Sequence, residues 1–163
     1  MTVVITILVL LAAAIMPNLV NEKKSREARE FFAQSRNLML GARARSMGDR
    51  RTRTVRFDES GSRLVVELTD SATGEATEER ALPLADGVAG SEYVAEGETS
   101  NAAEWRVDFY ADGKASGGGI TFTSNGRPIS LNVDRRGTVS QIDGELPDTT
   151  EEEWDAGGYE QRL

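Results

Sequence analysis

The chain starts with an uncharged stretch at residues 1–16, MTVVITILVLLAAAIM, which leads through Pro17 into a charged segment. As a helix rising about 1.5 Å per residue, this stretch reaches only about 24 Å. The hydrocarbon core of a bilayer is about 30 Å thick and usually requires about 20 apolar residues. The stretch is therefore a candidate membrane stem that is too short as written.

Three interpretations of residues 1–16 compete. A cleaved signal peptide needs positive charge ahead of its apolar core, and no Lys or Arg precedes Val3, although small residues at 12–14 could serve as a cleavage site. A buried helix would have to be apolar on all sides, in a domain whose later strands can build their own core. We therefore favour a transmembrane stem that continues into an amphipathic helix over residues 17–48.

The segment after Pro17 has the spacing of a helix with one packed face and one solvated face. Pro17 removes a backbone donor, so the sequence predicts a bend or local melting there. Gly48 and the Arg/Thr-rich run after it predict the end of the helix. The apolar positions are Leu19, Val20, Ala28, Phe31, Phe32, Leu38, Met39 and Ala42.

From residue 54 onward the pattern changes to the period of two that is typical of strands. Seven short strands are predicted, at 54–58, 63–69, 77–84, 104–110, 119–123, 128–134 and 138–142. Turn residues separate them, and Asn125-Gly126 is the strongest hairpin signal among these turns. The predicted fold class is α+β, with a long N-terminal helix packed on antiparallel β-sheets that span residues 54–143.

The remaining segments are predicted as a loop and a tail. Residues 85–103 are rich in Gly, Glu and Ser and are expected to form a long loop, and residues 144–163 an acidic, flexible tail. Trp154 and Tyr159 in that tail are candidate contacts for a partner. The residues expected to point into the core are Val107, Phe109, Ile120, Phe122, Ile129, Leu131 and Val133.

The run VVITILVLLAAAIMPNLV (residues 3–20) resembles the stem of type IV pilins and of type II secretion pseudopilins. In that family a prepilin peptidase removes a short basic leader, the new N-terminus is methylated, and a glutamate lies close behind it. Matching the family's stem proline to Pro17 places the leader, the cleavage site and the glutamate upstream of Met1. About five further residues would lengthen the stem to about 31 Å, which spans a bilayer.

Two further runs resemble the H-type minor pseudopilins, the GspH/FimT family. They are RNLMLGARARSMGDRRTRTVRFD (residues 36–58) and VDFYADGKASGGGITFTSNGRPISLNVDRRGTVS (residues 107–140). The resemblance implies a minor pseudopilin, a structural subunit of the type II secretion pseudopilus that helps to move proteins across the outer membrane, and not an enzyme. It implies other pseudopilins, the inner membrane and prepilin peptidase as partners, without a small-molecule substrate.

The resemblance also implies a single-pass protein of the inner membrane with its C-terminal domain in the periplasm. Residues 22–56 hold eleven basic and four acidic residues, which is a net charge of +7. Because the whole chain has a net charge of −8, the other residues together carry −15. The positive-inside rule alone would place this basic end in the cytoplasm. We follow the resemblance, because the family's basic leader supplies the cytoplasmic charge. Membrane and filament packing is expected from Val3, Val4, Ile5, Ile7, Leu8, Leu11 and Pro17.

The composition excludes several kinds of site. The chain has no Cys and no His, which rules out disulfides, thiol catalysis, imidazole bases and the usual zinc sites. Gly113-Lys114 lacks the spacing of a phosphate-binding loop and is interpreted as a hairpin turn. The acid pairs Asp108 with Asp112, and Asp143 with Glu145, are interpreted as solvated surface. No catalytic, metal or cofactor residue is predicted, and no cofactor.

One alternative function remains open, that of a minor type IV pilin that binds DNA for uptake. Arg127, Arg135 and Arg136 fall in successive predicted hairpin turns and could bind phosphates together. The net charge of −15 outside residues 22–56 argues against nucleic acid as a partner.

Overall fold

A long helix and two antiparallel sheets make up the computed structural model of this chain, which describes residues 2–70 and 73–147, with side chains from Glu22 onward. In chain order the elements are α1 (Thr2–Asp49), β1 (Arg53–Asp58), β2 (Arg63–Thr69), β3 (Ala76–Pro83), β4 (Val88–Ala95), β5 (Glu98–Thr99), β6 (Arg106–Phe109), β7 (Gly118–Ser124), β8 (Arg127–Val133) and β9 (Val139–Asp143). This confirms the predicted α+β class.

The helix α1 packs one face on the sheets, as its sequence pattern predicts. Ala28, Phe31, Phe32, Leu38, Met39 and Ala42 are all buried. Ser35 and Ser46 lie on the same face, and each hydroxyl donates to the carbonyl oxygen four residues earlier, so neither leaves a buried donor unpaired. The helix ends at Asp49 and is continuous across Pro17, so the expected local melting is not observed.

The strands form a four-stranded sheet in the order β3-β2-β1-β6 and a five-stranded sheet in the order β5-β4-β7-β8-β9. The chain crosses from the first sheet to the second and back, since β6 returns to pair with β1 and β7 then pairs with β4. The helix lies against β1, β2, β3 and β6 of the first sheet and against β9 of the second.

The core lies where α1 meets both sheets, and aromatic rings fill its centre. The ring of Phe122 on β7 lies 5.3 Å from that of Phe31, 5.9 Å from that of Phe32 and 6.5 Å from that of Phe57 on β1. These edge-to-face contacts are the favoured geometry for aromatic pairs. Most of the residues predicted to face the core are fully buried, while Ile129 is only partly buried against it.

The prediction of a long loop over residues 85–103 is wrong, because this segment contains β4 and β5. A register shift between Gly90 and Glu92 interrupts the alternation of inward-facing and outward-facing side chains in β4. Small residues also occupy positions where apolar residues would mark a half-buried strand. Beyond the shift, Tyr93 turns inward and its ring lies 5.6 Å from that of Phe57.

The turns follow the predicted chemistry. Asn125 and Gly126 have φ angles of 51° and 74°, as a two-residue hairpin with positive φ at both positions requires. Gly137, in the turn between β8 and β9, has a φ of 78°, and a Cβ there would overlap the carbonyl oxygen of Gly113. This second turn therefore needs glycine both for its backbone angle and for its close packing.

Within the residues that the structure describes, no helix is long and apolar enough to cross a membrane. The side chains of the predicted stem, at residues 1–16 and Pro17, lie outside the described part of the chain.

Candidate assembly surface

The face of α1 that points away from the sheets is lined by short side chains. We call it the small-residue face and define it as Ala33, Asn37, Gly41, Ala44 and Gly48. A Cβ built at Gly41 or at Gly48 would meet nothing within 4 Å. Beside this face Met47 is 49% exposed, one of two large hydrophobic residues that are exposed among those described. The helix thus presents a smooth, weakly polar surface on which another helix could approach closely.

Arg43 fastens α1 to two turns of the β domain. Its Nε donates to the carbonyl oxygen of Gly113 at 2.8 Å, and its Nη2 donates to that of Arg136 at 3.1 Å. One half-buried side chain therefore holds together the helix, the β6–β7 turn and the β8–β9 turn. This role could not be predicted from the sequence, because Arg43 is one basic residue among eleven in residues 22–56.

Arg53, at the start of β1, fastens the end of α1 to the four-stranded sheet. Its side chain is 4% exposed and makes paired hydrogen bonds of 2.6 and 2.8 Å to Asp49 and of 2.8 Å twice to Glu79. Arg45 adds an ion pair of 3.4 Å to Glu79. A bidentate pair of this kind fixes the relative orientation of the side chains and also balances their charges. The helix and the sheets are therefore joined at the end of the helix that lies farthest from the stem.

These ion pairs lower the pKa of several carboxyl groups. The hydrogen bond from Arg53 is the main cause that lowers the pKa of Asp49 to about 2, and it also lowers that of Glu79. Hydrogen bonds from Ser60 and then Arg63 lower the pKa of Asp58 to about 2. A carboxyl with a lowered pKa in the folded state stabilises that state above its unfolded pKa of about 4.

We therefore expect acid to weaken the fold. Stability should be nearly constant between about pH 5 and about pH 8, and it should fall as the pH drops from about 5 to about 2, because protonation removes these pairs. Urea unfolding midpoints measured across this range would test the expectation. Arg53→Met should flatten part of the decline, since Asp49 and Glu79 then lose the partner that lowers their pKa. An equally steep decline in that variant would show that other groups cause it.

The described residues offer no constellation for metal binding. Among them, no three His, Cys, Asp or Glu side chains lie close enough to hold a metal ion. Asp108 accepts a hydrogen bond from Thr54, and Asp112 forms an ion pair with Lys114. The first contact joins two strands, and the second lies within a turn. Asp143 and Glu145 are exposed, as predicted for solvated surface.

The glycine-rich run at residues 117–119 leads into β7 and packs closely against neighbouring groups. Gly118 and Gly119 lie inside β7, where other groups approach the strand closely. A Cβ at Gly118 would lie 2.6 Å from the carbonyl oxygen of Val94, and one at Gly119 would overlap Leu146. Gly113-Lys114 is part of a turn, since the amide of Gly113 donates to the carbonyl oxygen of Tyr110 at 3.0 Å.

The three arginines of the DNA-binding alternative are not brought together. Arg127 begins β8 at the turn that follows β7, whereas Arg135 and Arg136 lie in the turn after β8 ends. Seven residues of strand separate the two turns, which is about 20 Å. All three side chains are exposed. Only Arg135 and Arg136 can act as one basic patch.

A polar groove of about 910 Å³ lies between the four-stranded sheet and the β4–β5 hairpin. Its lining includes the ion pair of Arg56 with Glu67, 2.7 Å apart. The groove is wide and open, and polar and charged side chains make up much of its lining.

Comparison with known proteins identifies the fold. No model of a protein family matches the sequence, and no curated protein matches it. Among solved structures, the minor pseudopilin EpsH of the Vibrio cholerae type II secretion system is 12% identical, with a TM-score of 0.59 over 77% of this chain and 99% of EpsH. The Pseudomonas aeruginosa type IV minor pilin FimU is 15% identical, with a TM-score of 0.55 over 72% of this chain and 90% of FimU. This chain therefore has the pilin-like fold of the minor pseudopilins and type IV minor pilins, with a long helix packed on two antiparallel sheets.

Proposed function

We propose that this chain is a pilin-like structural subunit, and specifically a minor pseudopilin of a type II secretion pseudopilus. The observation that carries the proposal is the continuity of α1. One helix of 48 residues, about 72 Å long, joins the uncharged residues 1–16 to a face packed on the β domain. A pilin-like fold on such a helix supports assembly as the function, and catalysis has no support from the described residues.

In this proposal the stem holds the subunit in the inner membrane before assembly, with the β domain in the periplasm. Val3, Val4, Ile5, Ile7, Leu8 and Leu11 would bury their side chains first in lipid and later against the stems of other pilin-like subunits. The small-residue face would continue that packing above the membrane, because short side chains let helices approach closely. The contacts of Arg43 and Arg53 support this role, since they hold the helix against the β domain.

Deletion of residues 1–16 tests the proposal. The shortened chain should fold, because its described core begins at Ala28, but it should neither enter membranes nor restore secretion in a strain that lacks the gene. The full chain, expressed at the same level, is the control and should restore secretion. Full restoration of secretion by the shortened chain would show that the stem has no role in function.

A further inference from the structure

The arginine turn, which we define as Arg135 and Arg136 between β8 and β9, has no charge partner in the part of the chain that the structure describes. Both side chains are exposed, and neither forms an ion pair with a described residue. The carboxylate of the adjacent Asp134 is already engaged, because it accepts a hydrogen bond of 2.7 Å from the amide of Thr138. Two neighbouring cations are thus left without an anion.

The arginine turn is held in one conformation. The amide of Gly137 donates to the carbonyl oxygen of Asp134 at 2.9 Å, and Arg43 on α1 donates to that of Arg136 at 3.1 Å. Because the backbone is already fixed, an anionic ligand would have to order only the two arginine side chains. A preorganised site loses less entropy on binding than a mobile one.

Residues 144–147, which follow β9, run across the outer face of the five-stranded sheet. The hydroxyl of Ser130, which is fully buried, donates to the carbonyl oxygen of Gly144 at 2.6 Å. Leu146 then lies over Gly119, in the space that a side chain there would need. In the register of β7 with β8, Gly119 is nearer than Ser130 to the arginine turn. The chain is therefore anchored and directed toward that turn.

The distances allow the following segment to reach the arginines. The position that a Cβ would take at Gly117 lies 3.3 Å from Cγ of Arg135, and Gly117 is only two residues from Gly119. Glu151 lies five positions after Leu146, and an extended chain of that length spans about 17 Å. Residues 148–155, DTTEEEWD, contain five acidic residues and no basic one.

We propose that Glu151, Glu152 and Glu153 bind the arginine turn of the same chain. The segment after Pro147 is the occupant that the geometry favours, because it is tethered beside the turn and carries the opposite charge. The contact neutralises the patch of adjacent arginines that an external polyanion would need. The arginine turn then serves as an internal docking site rather than as a nucleic-acid site.

Disulfide trapping in the full chain tests this proposal, because the chain has no Cys of its own. Thr138→Cys, beside the arginine turn, is combined with Thr150→Cys and oxidised mildly. The matched control combines Arg127→Cys, at the other end of β8, with Thr150→Cys. We expect the first pair to form an intrachain disulfide faster, and to slow roughly fivefold at about 1 M salt, where the Debye length is about 3 Å.

Variants that remove charge distinguish electrostatic binding of the acidic segment to the arginine turn from mere proximity of the two. The double change Arg135→Gln and Arg136→Gln should slow disulfide formation in the chain with Thr138→Cys and Thr150→Cys about as much as salt does. Arg29→Gln with Arg36→Gln, which makes the same change in net charge on α1, should leave the rate unchanged. Trapping that is insensitive to salt and to the arginine turn would overturn the proposal, since the tail would only be passing nearby. Disulfides formed mainly between two chains would overturn it in favour of a second copy as occupant.

Discussion

Phe122→Ala is expected to destabilise the fold by about 3–5 kcal/mol, the usual cost of removing a fully buried aromatic ring. Phe122 is 0% exposed and its ring contacts those of Phe31, Phe32 and Phe57. The change therefore removes contacts between the helix and both sheets at once. Since small domains are stable by only about 5–15 kcal/mol, this loss is a large share of the total.

Urea unfolding of the purified chain would measure the effect of Phe122→Ala. Tyr110→Ala is the control, because Tyr110 is also aromatic but is 39% exposed. We expect that control to cost less than about 1 kcal/mol. Similar losses in the two variants would mean that the aromatic cluster is not the centre of the core.

Arg53→Met is expected to have the second-largest effect, about 2–3 kcal/mol. Breaking a buried ion pair costs about 3–5 kcal/mol, because the remaining charge loses its partner. The cost should be lower here, since the side chains of Asp49 and Glu79 are 43% and 21% exposed and can recover water. Arg53→Lys should restore little of the loss, because lysine cannot bind two carboxylates in the same two-pronged way.

The matched control for Arg53→Met is Arg26→Met, which lies on α1. Arg26 pairs with Glu22 at 2.7 Å, but the two side chains are 73% and 60% exposed. An exposed pair of this kind contributes only about 0.3–0.5 kcal/mol. Chemical unfolding of both variants should therefore separate them clearly. Equal and small losses would show that the Arg53 network does not join α1 to the sheet.

Local sequence patterns predicted those structural elements that depend mainly on neighbouring residues. The helical spacing identified the packed face of α1, and Asn125-Gly126 identified a hairpin whose backbone angles only such residues adopt readily. The predicted end of the helix near Gly48 lies one residue from the observed end at Asp49. These features depend on residues within a few positions of one another, which is the range that a pattern can report.

Features that depend on distant parts of the chain could not be predicted in this way. The strand β4 pairs with β7 about 30 residues later, and its own sequence lacks clean alternation. Arg43 and Arg53 look like the other basic residues near them until their distant partners are known. Arg127 and Arg135 are close in the sequence, but they lie at opposite ends of β8 and are therefore far apart in space.

In the proposed filament, the small-residue face of α1 packs against other subunits. Gly41→Leu tests this packing most directly, with Gly41→Ala as its partner, because a Cβ at Gly41 has open space around it. Both purified variants should be at least as stable as the parent chain, since glycine within a helix costs about 0.5–1 kcal/mol relative to alanine. The measurement is the amount of each variant recovered in assembled filaments from cells that lack the native gene. We expect normal assembly for Gly41→Ala and little or none for Gly41→Leu. Equal assembly of the two variants would show that this face of α1 does not pack against other subunits.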